Sequence, residues 1–338
     1  MTDQPRYTNV LRVFQETPWA VLPSTFDTMA HLLKMRIEGG SLSQPDIEAR
    51  IEAAGGRRGS ANQVAPPTVA VIPLYGVIMP KASLFSQMSG AQSLEDFRAS
   101  LQQAVDDTSI SAIVIDIDSP GGQTDMVTET AQAVRDARAQ KDVVAVASTL
   151  AASAAYWIAS QATELIVTPS GAVGSVGVFC VHEDWSKALD MKGIDVSLIH
   201  AGQYKVDGNQ YQPLSDSARS YLQDWVDATY TAFVNDVASG RGVSAKKVID
   251  TFGGGRLVRA ADAVSAGMAD KVDTLDATIA RLLGGRPTSK RGLAAEATPL
   301  SPEGATDTTE TIAAMEAALK SAAAVITNPP TPQGGPNE

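Results

Sequence analysis

The sequence predicts an α/β fold built on a mostly parallel sheet with flanking helices. Two observations carry this. Short β-branched runs, "TVAVIPLYG" at 68–76 and "ISAIVIDID" at 110–118, are too continuously apolar for a half-exposed strand and read as strands buried on both faces. Segments with helical spacing separate such runs. Strand–helix–strand alternation of this length implies right-handed crossovers and parallel pairing.

The elements follow in order. "TFDTMAHLLKMRIEG" (25–39) has helical spacing, with Met29, Leu32, Leu33 and Met35 toward one side. After the 68–76 strand, "SLEDFRASLQQAVDD" (93–107) is a helix with Ser93 as N-cap and Glu95 and Asp96 in its first turn. The 110–118 strand leads to a helix over 124–140 and a strand at 142–149. A helix then starts at Ala152, followed by a strand at 163–168, a helix over 181–193 and a strand, "DVSLIH", at 195–200. Long helices close the region at 214–240 and 244–252.

Composition divides the chain into three: an N-terminal arm and linker (1–66), a domain (67–283), and a Pro/Gly/Thr-rich tail (284–338) expected to be disordered apart from one Ala-rich helix near 307–326. That helix reads as a detachable partner-binding element. Across 338 residues the net charge is −11 and the pI about 4.8, which argues against a nucleic-acid surface. One cysteine, Cys180, rules out an intramolecular disulfide framework and reads as a small apolar residue in a reducing compartment. The first residues lack the basic-then-apolar pattern of a secretory signal, and no run reaches the roughly 18 apolar residues of a membrane span. A soluble, cytoplasmic protein is expected.

In an open parallel sheet, ligands gather at the carboxyl ends of the strands. Three stretches start there: "SPGG" (119–122), "LAASAA" (150–155) and "AGQYK" (201–205). Gly121 and Gly122 reach backbone angles closed to other residues, so the turn can aim an N–H at a developing oxyanion. Ser153 stands among Ala151, Ala152, Ala154 and Ala155, which leave its surroundings open to a bound chain. The N–H of Ala154 can pair with that of Gly121 or Gly122 as a second oxyanion donor. Each feature alone reads first as an ordinary turn or a helix cap.

A serine hydroxyl needs a base. His31, His182 and His200 are the only histidines, and the last two are candidates. Lys205 is the better one, on a loop expected to leave a strand end. A free lysine is neutral in only about one molecule per thousand near pH 7.4, and burial in an apolar pocket raises that fraction. Ser175, in "GAVGSVGV", can hold a neutral amine by a hydrogen bond.

Taken together, "DIDSPGG", "AASAAYWIA", "GAVGSVGV" and "AGQYKVDGN" resemble, in order and spacing, the signal peptide peptidase A family, and within it the tailed-phage head maturation proteases. The likeness covers about residues 68–283, including the closing "GGGRLVRAADAVSAGMADKVDTL". It implies a Clp/crotonase-type fold and a serine–lysine dyad. Ser153 falls on the nucleophile, Lys205 on the base, Gly122 or Gly121 with Ala154 on the oxyanion donors, and Ser175 on the serine that positions the lysine. Family members often carry glycine where Ala154 and Ala155 stand. The membrane-bound members have an N-terminal anchor, which this chain is expected to lack. The resemblance implies protein or peptide substrates, phage head proteins among them, processed in the host cytoplasm or the assembling head by a homo-oligomeric ring. It implies neither metal nor nucleotide cofactor. A non-catalytic head component and a peptide-degrading protease are the alternatives. Crotonase-type acyl-CoA chemistry, which shares the fold and oxyanion hole but uses a carboxylate base, is a further reading. The substrate is expected to add as a β-strand near the site, the 68–76 strand included.

Overall fold

The structure, a computed structural model, describes residues 18–37, 68–81 and 92–284. In chain order β1 (Trp19–Val21) leads into α1 (Pro23–Ile37). Next come β2 (Thr68–Tyr75), β3 (Ile78–Met79), β4 (Gln92–Ser93), α2 (Leu94–Asp106), β5 (Ile110–Ser119) and β6 (Gly121–Gln123). α3 (Val127–Arg138), β7 (Asp142–Ala152), α4 (Ala154–Ala159), β8 (Glu164–Val167) and β9 (Ala172–Gly174) form the middle. α5 (Ser186–Met191), α6 (Asp216–Arg241), α7 (Ala245–Thr251), β10 (Leu257–Arg259), α8 (Ala260–Ala266), β11 (Lys271–Val272) and α9 (Leu275–Leu282) complete it.

The mostly parallel α/β sheet is present. β2, β5 and β7 pair in parallel, with β2 at one end of the sheet. The first half of β7, Val144–Ala147, pairs with β8, and its last residues, Leu150–Ala152, pair with β9. β11 extends β8 in parallel, while β10 is antiparallel to β9. A smaller sheet, ordered β1-β6-β3-β4, stands over the carboxyl end of β5.

The apolar runs explain this layering. Val143, Ala145, Ala147, Ile113, Ile115 and Ile117 are buried under α2, α3, α4 and α6, while Val114, Val144, Val146 and Ile166 form a second cluster against α9. Strands covered on both faces cannot alternate polar and apolar residues. Ser93 caps α2 as expected, its hydroxyl accepting from Asp96 N at 3.2 Å, and Ser215, Ser244 and Thr274 cap α6, α7 and α9 in the same way.

Four expectations change. The 68–76 run forms a strand but is not buried on both faces, because β2 ends the sheet and leaves Val71 and Tyr75 exposed. The 195–200 segment is not a strand: it is irregular and exposed, with Ile199 98% accessible. An apolar run forms a strand only where a neighbour accepts from its N–H groups and donates to its C=O groups, and none of the described strands does. The helix expected from 152 starts at Ala154, because β9 keeps Leu150–Ala152 in the ladder. The helix over 181–193 shrinks to Ser186–Met191. The linker at 53–67 and the 307–326 helix lie outside the described residues.

α6 is tied to the end of the sheet by Arg241, whose guanidinium holds both carboxylate oxygens of Asp270 at 2.7 and 2.8 Å, while Asp270 also accepts from Leu165 N at 2.7 Å. Burial alone would raise the Asp270 pKa, but the Arg241 and Leu165 hydrogen bonds outweigh it and hold the carboxyl below its ordinary value. A depressed carboxylate stabilises the fold above its unfolded pKa near 4, and that contribution fades as pH falls through the lower folded value. Asp270→Asn therefore lowers stability at pH 7 by about 1 kcal/mol, allowing for solvent at this half-exposed pair, and flattens the acid limb below pH 4. Urea midpoints at pH 7 and pH 3 measure both.

Candidate active site

Ser153 sits at the junction of β7 and α4 with φ 54° and ψ −119°. These are the angles of the first central residue in a type II′ turn, a position that favours glycine. Neighbouring backbone imposes them: Ser153 N donates to Gly174 O at 2.7 Å, and Ser153 O accepts from Trp157 N at 2.9 Å. A non-glycine residue held there is strained, and such strain concentrates at functional sites. The hydroxyl does not cap α4; Oγ lies 3.4 Å from Gly177 O, the longest edge of a hydrogen bond. The helix-cap reading is thus removed.

The six residues of α4 are all buried. The Trp157 indole stacks on Phe233 at 4.5 Å with rings 5° apart and donates to Asp236 at 2.7 Å, while the Tyr156 hydroxyl donates to Met268 O at 2.9 Å. Burial drives the Tyr156 pKa far upward, so this hydroxyl stays a donor. These contacts fix the helix directly behind the serine.

The glycine pair lies opposite. Gly121 has φ 92°, and a Cβ there would approach Ser153 Cβ to 2.9 Å; on Gly122 it would strike Ile78 O at 1.9 Å. Both positions therefore need glycine, one for its angle and both for space. Their amides differ. Gly121 N donates to Ser119 Oγ at 3.2 Å, whereas Gly122 N faces β1. Ser175 is buried with φ 53°, its N–H donating to Arg256 O at 2.8 Å. Gly121 thus lies against Ser153, and the Ser153 N–H bond to Gly174 O sets Ser175 next to its partner strand.

Lys205 does not join them in the single chain. It is exposed on a turn at 201–208 and lines a groove of about 830 Å³ with His182, Tyr204, Tyr211, Tyr221 and Trp225, while Ser153 is fully buried outside that groove. Its amine makes no hydrogen bond or ion pair with any described residue, Ser153 and Ser175 included. The strand expected to deliver it is absent, which leaves the loop without a fixed approach. His182 also lines the groove, its Nε2 buried without a partner among the described residues; His200 is exposed, with Nδ1 3.1 Å from Gly202 O. The side chain of His31 lies outside the described residues. Cys180 is half-buried, and burial pushes its thiol pKa up, as a small apolar residue requires.

Sequence reasoning missed β1. Trp19–Val21 pairs antiparallel with β6, Val21 opposite Gly121 and Ala20 opposite Gly122, and Trp19 bridges Phe179 on its other edge. The only local signal is an apolar tetrapeptide bracketed by Pro18 and Pro23.

A buried serine on a strained strand-to-helix turn, facing a glycine pair across the end of a parallel sheet, is the arrangement of a serine acyl-transfer site on an α/β fold. Residues 135–285 match the model of peptidase family S49, a span that holds Ser153, Ala154, Ser175 and Lys205. The span 135–285 is thus a peptidase family S49 domain. The chain is 32% identical over 268 residues to capsid assembly protease C of Escherichia phage lambda, covering 75% of this chain and 61% of that one. It is 31% identical over 243 residues to head-tail preconnector protein GP5 of Enterobacteria phage P21, covering 69% and 48%. The chain thus spans between about half and three fifths of these relatives' lengths. A solved structure similar to it is the 1510-N membrane protease of Pyrococcus horikoshii specific for a stomatin homologue, with 14% identity, TM-score 0.38, and coverage of 64% and 79%. Among the described residues, no helix is long and apolar enough to cross a membrane.

Proposed function

We propose that this chain is a serine endopeptidase that uses a Ser153–Lys205 dyad to process phage head proteins during capsid assembly. The observation that carries it is the Ser153 turn: a hydroxyl released from capping, held at strained angles beside Gly121. The phage relatives named for capsid assembly and for the head–tail preconnector supply the substrate class.

In this reading the neutral Lys205 amine takes the Ser153 proton as Oγ attacks the peptide carbonyl. Gly122 N–H and Ala154 N–H bind the oxyanion. The intermediate collapses as the lysine returns its proton to the departing amine, leaving an acyl-serine. Water, deprotonated by the same lysine, then releases the carboxylate and restores the hydroxyl. Ser175 holds the amine in line.

Lys205 must come to Ser153 for this. The region that carries it displays Ile194, Val196, Ile199, Tyr204, Tyr221 and Trp225 to solvent. Contiguous exposed apolar side chains mark an association surface. Packing of copies into a ring would cover them, order the 195–212 segment and desolvate the amine. The catalytic unit is residues 67–283, the tail from 284 docks on head components, and the place of action is the host cytoplasm or the assembling head. Mass spectrometry of co-expressed neighbouring head proteins tests the reading: the intact chain yields new termini in at least one of them, and Lys205→Ala yields none. Identical termini with both would refute the dyad. No new termini with either would favour a structural head component.

A further inference from the structure

The strand that sequence analysis missed lies where a peptide substrate would have to lie. Gly122 N–H is the donor proposed for the oxyanion, and it is already taken. Leu22 N donates to Pro120 O at 3.0 Å and Thr124 N donates to Pro18 O at 3.3 Å. Antiparallel pairing alternates with a period of two, so the Ala20–Gly122 pair between them exchanges both hydrogen bonds and Gly122 N–H points at the Ala20 carbonyl. That carbonyl is close to the nucleophile. Ala20 O and Ser153 Cβ lie 2.2 and 2.9 Å from the same point, the place a Gly121 Cβ would occupy.

The other edge of β1 is equally engaged. Trp19 N donates to Phe179 O at 2.8 Å, and Phe179 N donates to Trp19 O at 3.0 Å. β1 therefore fills a one-strand slot between the oxyanion strand β6 and the segment after Gly177. The slot is held shut by an apolar clasp: Trp19, Val21, Phe26 and Met29 are buried together, with Trp19 and Phe179 edge-on to Phe26 at 5.7 and 5.3 Å.

We propose that residues 18–22 are an internal occupant of the peptide slot, a strap that must leave before a substrate strand can enter. The inference rests on Ser153 being the nucleophile. The backbone on the C-terminal side of the strap makes it an occupant rather than a substrate. The Leu22 carbonyl accepts from Thr25 N and Phe26 N at 3.0 and 3.1 Å, and α1 starts at Pro23, so the chain turns into helix within a few residues of Ala20. A peptide being cut runs extended on both sides of its scissile bond. The strap also reports the slot's chemistry. It is an extended apolar segment with a small side chain opposite Gly122, which names the substrate class: unfolded chain or exposed strand, apolar, with alanine or a similar residue at the reacting carbonyl.

A reversible tether tests this. Trp19 and Gln123 face each other across β1 and β6. In the full chain carrying Trp19→Cys, Gln123→Cys and Cys180→Ser, oxidation locks the strap and reduction frees it with its clasp weakened. The readout is the rate at which a fluorophosphonate probe labels Ser153, monitored by intact mass. Reduced protein is expected to label at least about tenfold faster than both the oxidised form and the unmodified chain. Equal rates in all three, with Ser153 labelled, overturn the strap and leave the peptidase reading intact. No labelling of Ser153 in any form overturns that reading, and the strap with it. Should the variant fail to fold, a synthetic peptide spanning residues 16–24 is added to the unmodified chain. Slower labelling in its presence supports the slot, and an unchanged rate at millimolar peptide refutes it.

Discussion

Ser153→Ala is expected to reduce the proposed peptide-bond cleavage by about 10⁴- to 10⁶-fold, and Lys205→Ala to do the same. The double variant should be no slower than either single one, because in the proposed dyad the two groups act on one proton and removing either abolishes the step. The machinery left behind sets the size of the loss. Without nucleophile or base, only the proposed oxyanion donors Gly122 and Ala154 and substrate positioning would still act, and such residual machinery accelerates hydrolysis modestly. The rate of fragment appearance, measured with far-UV circular dichroism on each variant, checks the prediction. The fold should be unchanged, since Ser153 Oγ makes one marginal contact and the Lys205 amine makes none among the described residues. A Lys205→Ala variant that keeps a tenth or more of the rate would move attention to His182, the half-buried ring beside it in the groove.

Gly122→Ala damages both stability and rate. The new methyl would lie 1.9 Å from Ile78 O and 2.6 Å from Ile78 N and C, all backbone atoms with no rotamer to escape into. β3 and β6 must part by more than an ångström to admit it. Overpacking of this kind costs about 1–3 kcal/mol. In the proposed mechanism the same displacement carries the Gly122 N–H off the oxyanion, which costs a further 10²- to 10³-fold in kcat. Thermal midpoint and kcat should fall together. A variant with normal kcat would show that the oxyanion donor is elsewhere, with Gly121 next in line.

The architecture was readable where burial is two-sided and continuous. The runs 110–118 and 142–149 could be nothing but central strands, and Ser93 with Glu95 and Asp96 announced α2. The candidate serine and glycine pair were readable for a related reason: each departs from what plain packing requires. The rest was not, and the causes are physical. β1 has three residues, too few for any period, and its partners are about a hundred positions or more away. β9 and β10 are equally short and take their identity from β7. The 195–200 run looked like a strand because apolar pattern encodes the wish to be covered and not the partner that covers it. Lys205 was recognisable only through the company of the other motifs, and its position in the single chain could not be read at all.

The torsions at the β7–α4 junction narrow which alcohols can serve there. A side chain branched at Cβ is poorly tolerated at φ 54°, where the second substituent crowds the preceding and following peptide planes. Threonine carries the same functional group as the residue present, yet the local geometry disfavours it before chemistry is consulted. Interchange at this locus is therefore open toward cysteine, which is unbranched, and closed toward the secondary alcohol. The shape of the main chain, as much as the reaction, selects a primary hydroxyl.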